Sequence, residues 1–288
     1  MTRIETSINF FGKGLCQSRW TNERNAVTYN IVYVIFGGSG EYIDGNQKLN
    51  FQKNHIYILP ANRHYILKRH PENPLDHIWF HADIFPILDR NAVIEFDIRN
   101  FEFIRHLVSS INSRLSDVMG CLTKEFVRTY NIRKDFIIGL PPQKMAGGVV
   151  NVETYTVIFN SLNLLLQCLL GCILQERRHE ITLIDDQYIR KAFEFIRSHF
   201  HENIDNQDIA DRINITRTHF IRLFKHKMNI TPHQYLLSYR LSMAELYLSH
   251  GVPVTRVAEQ VGLDPKTFSR IYKASRGYVP SKYNSLME

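Results

Sequence analysis

The residues of this sequence best suited to chemistry are arginines and lysines that recur at a fixed spacing near its C-terminus. The stretch around Phe220 is repeated, without a gap, 48 residues later. An arginine can donate two hydrogen bonds to a guanine edge, and a lysine can bind a phosphate. The repeat therefore predicts two matching units that contact a nucleic acid. The matched residues are Ala210 with Ala258, Phe220 with Phe268, Arg222 with Arg270, Leu223 with Ile271, Phe224 with Tyr272, Lys225 with Lys273, Pro232 with Pro280, and Tyr235 with Tyr283.

The elements that would position these residues are pairs of short helices, one pair in each unit. In the first unit the apolar spacing predicts a helix over 207–213, a turn at Asn214-Ile215 and a second helix over about 216–227. Thr216 is a suitable N-cap for that second helix. The second unit repeats the pattern, with its second helix over about 265–275. Two helices joined by a tight turn are typical of a helix-turn-helix; a plain helical bundle with solvated basic faces is the alternative.

The second helix of each unit has an apolar side and a basic side. Arginine and threonine on the basic side suit the major groove, where a threonine methyl can also contact thymine. Lys225 and Lys273 lie further along their helices and are better placed for phosphates. The outward residues are Arg217, Thr218, Ile221, Arg222 and Lys225 in the first unit and Lys266, Thr267, Ser269, Arg270 and Lys273 in the second.

The positive charge of the chain is concentrated in the same region. The chain has 35 lysines and arginines against 28 aspartates and glutamates, a net charge of +7. Residues 214–288 contain eleven of the basic and four of the acidic side chains, so the whole excess lies there. Such asymmetry favours a polyanionic partner. We therefore predict double-stranded DNA as the partner of the C-terminal region.

A long helix is predicted between the two units. Thr231 is a suitable N-cap and Pro232 a suitable first helical residue, while Gly251 is a suitable C-cap. A helix of roughly 18 residues is about 27 Å long, and one turn of DNA is about 34 Å. Such a helix can hold two recognition helices at successive major grooves on one face of the DNA.

Two stretches of this region resemble the AraC/XylS family of regulators. They are IDNQDIADRINITRTHFIRLFKHKMNITPHQYLLSYRLSMAELYL and VTRVAEQVGLDPKTFSRIYKASRGYVPSKY. The resemblance implies RNA polymerase as a further partner. It also implies which residues approach bases: Arg217, Thr218, Ile221 and Arg222, with Lys266, Thr267 and Arg270 as their counterparts.

The sequence departs from the family pattern at three places. The turn after Gly262 looks one residue shorter than is usual for a second unit. Asn229 stands where a glycine is usual, and Asn284 where an arginine is usual. Because of the first departure, the alternative that the second unit only clamps phosphates stays open.

Roughly the first 95 residues read as short β-strands. Short strands at close spacing, with turn residues between them, predict a barrel or a sandwich. The run ILPANRHYILKRHPENPLDHIWFHADI resembles the sensor domain of the same family, which implies a cupin-like β-barrel. The predicted strands are 27–36, 41–43, 49–51, 55–59, 65–68 and 77–84.

The middle of the chain is predicted to be helical. Helices are expected over 101–118 and 153–176, with a loop over 130–150 between them. The second helix is so rich in leucine that one small barrel would not cover it, which predicts a homodimer. The polar stretch 177–185 is the predicted linker.

These elements predict an α+β protein with two domains. A cupin-like effector-sensing and dimerisation domain is expected over 1–180, and an all-α DNA-binding domain with two helix-turn-helix units over 181–288. The apolar stretch 157–174 contains Asn160, Asn163 and Gln167, which argues against a membrane span. The N-terminus shows no signal-peptide pattern and the four cysteines no disulfide spacing, so we expect a cytoplasmic protein.

One predicted strand carries the candidate effector site. In HIWFHADI, alternation places His77, Trp79 and His81 on one face. An aromatic ring beside imidazoles suits a sugar or another small polar effector, and His64 is a further candidate for this site. The alternative is that Trp79 is a core residue and that the histidines are solvated or hydrogen-bonded in place.

No metal site, cofactor or enzyme is predicted. His64, His70, His77 and His81 lack the His-x-His pattern with a nearby glutamate that a metal cupin shows. The cysteines lie outside any basic or metal-like motif that would activate a nucleophile. A cupin enzyme or DNA-repair protein is one competing function, and a protein-interaction factor whose basic domain no longer reads DNA is another.

Overall fold

The computed structural model separates into two compact units, residues 1–24 with 29–183 and residues 25–28 with 184–288. The residues it describes are 4–15, 21–25, 28–45, 47–61, 63–70, 72–88, 93–129, 136–139, 142, 145, 147–179, 181, 183–249 and 252–283.

The first unit is built around two antiparallel sheets. The larger has six strands in the order β10-β6-β3-β8-β1-β11, and the smaller has four in the order β2-β7-β4-β5. Strands β9 and β12 have two residues each. The strands are β1 Glu5–Leu15, β2 Thr21–Asn25, β3 Asn30–Gly37, β4 Gly40–Asp44, β5 Gln47–Asn50, β6 His55–Leu59, β7 His64–Arg69, β8 Asp76–Phe85, β9 Ile87–Leu88, β10 Ile94–Asp97, β11 Phe136–Gly139 and β12 Leu183–Ile184.

Strand β8 lies at the centre of the larger sheet. Its Phe80 is opposite Phe11 of β1 and Val32 of β3, and all three side chains are fully buried. Its neighbour Trp79 is opposite Gly12 and Tyr33 on the other face. Both faces of this sheet are therefore covered, which explains why β3 and β6 are buried along nearly their whole length.

Three α-helices of the first unit lie in its described part. They are α1 Glu102–Val118, α2 Lys124–Thr129 and α3 Val152–Glu176. Helix α3 packs on β1, and α1 packs on α3 and β11. Phe159 of α3 packs on Phe11 at 6.1 Å between ring centroids. Asn163 donates to the carbonyl of Thr6 at 3.2 Å, and Gln167 donates to the carbonyl of Ile4.

Helix α3 is long and apolar enough to cross a membrane by length and composition alone. Its eight buried side chains and its polar bonds to β1 are instead those of a helix packed on a sheet. Asn163 and Gln167, which interrupt its apolar sequence, thus have partners within the fold.

The second unit consists of helices joined by short turns. The helices are α4 Gln187–His199, α5 Asn206–Arg212, α6 Arg217–Met228, α7 Pro232–Ser249, α8 Val254–Gln260 and α9 Pro265–Arg276. The predicted start of the long helix is confirmed: Thr231 Oγ1 accepts from the Gln234 N–H at 3.2 Å, and Gln234 Oε1 accepts from the Thr231 N–H at 2.9 Å. Gly251, its predicted C-cap, lies outside the described residues.

The structure corrects two expectations about the first unit. Its described strands form separate sheets with free edges and no closed barrel. The predicted loop 130–150 also contains β11, whose residues 136–139 pair with residues 11–14 of β1. Both errors concern long-range strand pairing, which local sequence pattern does not encode.

Candidate nucleic-acid interface

The first helix-turn-helix begins with a capped short helix. The Asp205 side chain accepts from the N–H groups of Gln207 at 2.6 Å and Asp208 at 3.1 Å, and the Asp208 carboxylate accepts from the Asp205 N–H at 2.7 Å. The hydrogen bonds donated by the backbone N–H groups of Asp208 and then Gln207 lower the pKa of Asp205. The capping box fixes the start of α5, which buries Ile209 and Ala210.

The turn of the first helix-turn-helix is short and left-handed. Asn214 has a φ of 58°, and the Ile215 N–H donates to the carbonyl of Ala210 at 3.1 Å. Thr216 then accepts from the His219 N–H at 3.3 Å and caps α6, as the sequence predicts. Helix α6 ends at Asn229, which has a φ of 53°, the conformation that an asparagine in a glycine's place should adopt.

Aromatic residues hold α6 in place from behind. Phe220 and Phe224 are fully buried, and their ring centroids lie 5.6 Å apart. Phe224 also contacts Phe193 of α4 at 5.9 Å and Tyr235 of α7 at 5.6 Å. Because three helices meet at one ring, the outer face of α6 has a fixed orientation.

The second helix-turn-helix reproduces the first at an offset of 48 residues. Helices α8 and α9 have the bounds of α5 and α6 shifted by that number. The Leu263 N–H donates to the carbonyl of Ala258 at 2.9 Å, the bond that Ile215 makes in the first unit. Gly262 has a φ of 69°, in the place of Asn214. The two turns therefore have the same length and the same hydrogen bonds.

The structure places the predicted DNA-contacting residues on one side of each recognition helix. At 3.6 residues per turn, each set spans an arc of about 140° or less. Ile221 and Thr267 are half-buried. The exposed members are Arg217, Thr218, Arg222 and Lys225 on α6 and Lys266, Arg270 and Lys273 on α9.

The two recognition helices differ at their N-caps. Thr216 is neutral, whereas the equivalent Asp264 carries a carboxylate that accepts from the Thr267 N–H at 2.9 Å. Hydrogen bonds from the side chain and then the backbone of Thr267 lower the pKa of Asp264. Helix α9 therefore presents a negative charge beside Lys266.

Two positioning groups behind the interface were not predicted from the sequence. Arg276, at the end of α9, pairs with Glu245 of α7 at 2.5 Å, and the two side chains are 5% and 13% exposed. Arg240 of α7 is 8% exposed. Arginines in a basic region suggest solvated side chains, so only the packing reveals these two as internal.

The predicted effector residues belong to the first of the two compact units, residues 1–24 with 29–183. His77 is buried between Tyr33 at 4.8 Å and Trp79 at 5.0 Å, and its Nδ1 lies 3.3 Å from the carbonyl oxygen of Leu75. Burial lowers the pKa of His77 to about 4, so its ring is neutral at pH 7.

Trp79 and His81 are half-buried on the same face of β8. His81 stacks on Tyr29 at 4.7 Å and lies 5.5 Å from Phe10. His64 is exposed at the start of β7. Among the described residues, no group of three His, Cys, Asp or Glu side chains converges to hold a metal ion.

Known proteins resemble this chain most in its second unit. A helix-turn-helix domain model matches residues 209–285. The chain is 31% identical over 93 residues to the lactose operon transcription activator of Staphylococcus xylosus, covering 32% of this chain and 33% of that protein. It is 26% identical over 135 residues to the probable transcriptional regulator LumQ of Photobacterium leiognathi, covering 44% and 52%. The matches thus span between a third and about half of these relatives.

Over its whole length the chain shares its fold with ToxT from Vibrio cholerae. The TM-score is 0.53 at 16% identity, with 99% of each chain covered. A ToxT structure with an unsaturated fatty acid bound gives a TM-score of 0.52 at 14% identity, covering 96% of this chain and 94% of that one. The domain match over the duplicated helix-turn-helix shows that residues 209–285 form an AraC-type helix-turn-helix domain, and the likeness to ToxT shows a shared fold.

Proposed function

We propose that this chain is a sequence-specific DNA-binding regulator of transcription that reads DNA with α6 and α9. The observation that carries this proposal is the equivalence of Arg222 and Arg270. Each is exposed, and each lies two residues after the buried phenylalanine that anchors its helix, Phe220 or Phe268. A guanidinium held outward on a rigid helix can donate two hydrogen bonds to the O6 and N7 atoms of guanine.

The remaining residues divide into two roles. Arg217, Thr218 and Ile221, with Lys266 and Thr267, approach bases near the start of each helix. Lys225 and Lys273 lie about one turn further along and bind phosphates, which fixes the position of the protein on the duplex without reading sequence. The same positive face attracts DNA at long range.

Helix α7 sets the distance between the two recognition helices, α6 and α9. Its 18 residues give a length of about 27 Å. Successive major grooves on one DNA face lie about 34 Å apart. The two recognition helices therefore read two half-sites about 10 bp apart.

Binding of the full chain to a selected duplex tests this function. A sequence selected from a random pool should bind at least about 1,000-fold more tightly than unrelated DNA at physiological salt. The double variant Arg222→Ala, Arg270→Ala should lose most of that preference and keep the binding to unrelated DNA. Equal binding of wild-type protein to all duplexes would favour a factor that no longer reads sequence.

The first unit is proposed to bind a small-molecule effector beside Trp79 and His81. Trp79 offers a ring for stacking and His81 a polar edge, while His77 stays neutral behind them. Stacking beside polar groups suits a sugar, whereas the ToxT structure contains a fatty acid. Isothermal titration calorimetry of the full chain with mono- and disaccharides and with fatty acids distinguishes the two chemistries, and Trp79→Phe should weaken sugar binding more than fatty-acid binding. Unchanged binding in Trp79→Ala would place the effector elsewhere.

The protein is further proposed to act in the cytoplasm as a homodimer that contacts RNA polymerase. Val157 and Leu164 of α3 are 68% and 61% exposed on one stripe of the helix. A second copy covering this stripe would bury its apolar surface. Sedimentation of the full chain tests the dimer, because Leu164→Glu should convert it to a monomer. A wild-type monomer at tens of micromolar would count against it.

A further inference from the structure

One bend in the second unit is held by groups from two other elements. The bend consists of Phe200, His201 and Glu202, between α4 and α5. Its backbone is closed by the Glu202 N–H, which donates to the carbonyl of His199 at 2.9 Å, and by the Ile204 N–H, which donates to the carbonyl of Glu202 at 2.9 Å. We call these three residues the 200–202 bend.

Arg240 of the linking helix α7 holds the bend from one side. Its Nε donates to the Phe200 carbonyl at 2.7 Å and its Nη2 to the Glu202 carbonyl at 2.6 Å. Burial lowers the pKa of Arg240, whose partners here are main-chain carbonyls. A buried guanidinium is costly unless its donors are well satisfied, so this contact is specific in geometry. The ring of Phe200 also packs edge-on against Tyr239 at 5.3 Å.

The turn of the second helix-turn-helix approaches the same bend from another side. A Cβ atom added at Gly262 would lie 2.7 Å from the carbonyl oxygen of His201 and 3.1 Å from that of Phe200. These neighbours are main-chain atoms, so no flexible side chain can move aside. Asn214, the equivalent residue of the first helix-turn-helix, is exposed and carries a side chain at a φ of 58°. Because Asn214 adopts the same left-handed backbone with a side chain, the close approach of the 200–202 bend is what requires a glycine at position 262.

The bend is also connected, through α4, to the first helix-turn-helix. It follows directly on α4, whose Phe193 packs on Phe224 of the first recognition helix at 5.9 Å and stacks on Tyr235 at 4.5 Å. One rigid segment thus contacts the first recognition helix, the linking helix and the second turn. Motion of one recognition helix relative to the other would have to break these contacts.

We propose that the 200–202 bend sets the spacing and orientation of the two recognition helices, with Arg240 and Gly262 as positioning residues for DNA specificity that do not touch DNA. This inference rests on the proposed function, since it concerns the spacing of the two half-sites that α6 and α9 read on one duplex. Helices α6 and α9 keep one separation because the turn before α9 packs against the 200–202 bend, which is joined to α6 through the contacts of α4.

A spacing series measured with the full chain tests the proposal. The duplex selected by wild-type protein is altered by adding or removing one base pair between its half-sites, and affinity is measured for each spacing. Wild-type protein should favour one spacing. At other spacings the base contacts of α9 are lost, and the affinity should fall about 5- to 150-fold. Gly262→Asn should lose that preference and bind the selected site as weakly as one with its second half scrambled. Its contacts with the first half-site should remain.

Two further variants make the outcome decisive. Gly277→Asn is the matched control, because Gly277 has a φ of 81°, its added Cβ would meet no atom within 4 Å, and Asn229 is its equivalent; it should behave as wild type. Arg240→Lys keeps the charge but cannot donate to both carbonyls in the same geometry, and should weaken the spacing preference less than Gly262→Asn does.

The possible results separate the two proposals. An unchanged spacing preference in a folded Gly262→Asn protein would overturn the inference. If Gly262→Asn fails to fold, an unchanged preference in Arg240→Lys overturns it instead. A wild-type protein that selects only one half-site would show that two-headed reading itself is wrong, and the inference would fall with it.

Discussion

The two helix-turn-helix units have the same backbone plan but are stabilised differently. Behind α6 lies a cluster of rings from three helices, centred on Phe224. Behind α9, Phe268 packs on Tyr272, and Arg276 forms an ion pair with Glu245 of α7. The units also differ at their recognition-helix caps, neutral Thr216 and anionic Asp264. A duplicated fold can thus keep one reading surface while its support changes.

The largest expected difference is in stability. Phe224→Ala should lower the free energy of unfolding of the second structural unit by about 3–5 kcal/mol, because it removes a fully buried ring that three helices share. Phe268→Ala removes a fully buried ring with fewer aromatic neighbours and should cost less within that range. Urea unfolding monitored by circular dichroism gives both values. A larger loss for Phe268→Ala would reverse the comparison.

The next effect concerns base reading. Arg222→Ala and Arg270→Ala should each weaken binding to the selected duplex by about 1–3 kcal/mol, because each removes a two-bond contact to a base. The losses should add in the double variant, since the two residues lie on different recognition helices. Equilibrium titration with labelled duplex measures them. A loss confined to Arg222→Ala would make the second unit a phosphate clamp.

A smaller effect separates the lysines from the arginines. Lys225→Ala and Lys273→Ala should weaken binding to all duplexes alike and reduce the slope of log affinity against log salt by about one unit each. Titrations of the selected and an unrelated duplex at several salt concentrations give the slopes. If either lysine variant changed the preferred sequence, that lysine would be a base contact.

The smallest effect tests the caps. Asp264→Thr gives α9 the cap of α6 and removes a negative charge facing the DNA, so affinity should rise roughly two- to threefold at low salt and less at high salt. Because the pKa of Asp264 is lowered, its favourable interaction with α9 is present above the unfolded pKa and is lost as pH falls through the folded one. Wild-type protein should therefore lose stability there relative to the variant, and identical acid unfolding would contradict this.

Local pattern predicted the helical unit well because its signals are local. The bounds of α6 follow from a cap and from apolar residues spaced one helical turn apart, and β6 at His55–Leu59 was predicted without error. Strands β1 and β11 were missed, because β1 alternates weakly in sequence and is stabilised by its long pairing with β8. The internal role of Arg240 was missed for a related reason, since its carbonyl acceptors lie about forty residues away.

The most direct test of the central claim is the sequence preference of the full chain and of its two arginine variants, each selected from a random duplex pool. If both units read bases, wild-type protein will select two specified half-sites about one helical turn, or 10 bp, apart. Arg222→Ala will then relax one half-site and Arg270→Ala the other. Preferences that stay the same in Arg270→Ala, or a wild-type site with a single specified half, would contradict the account.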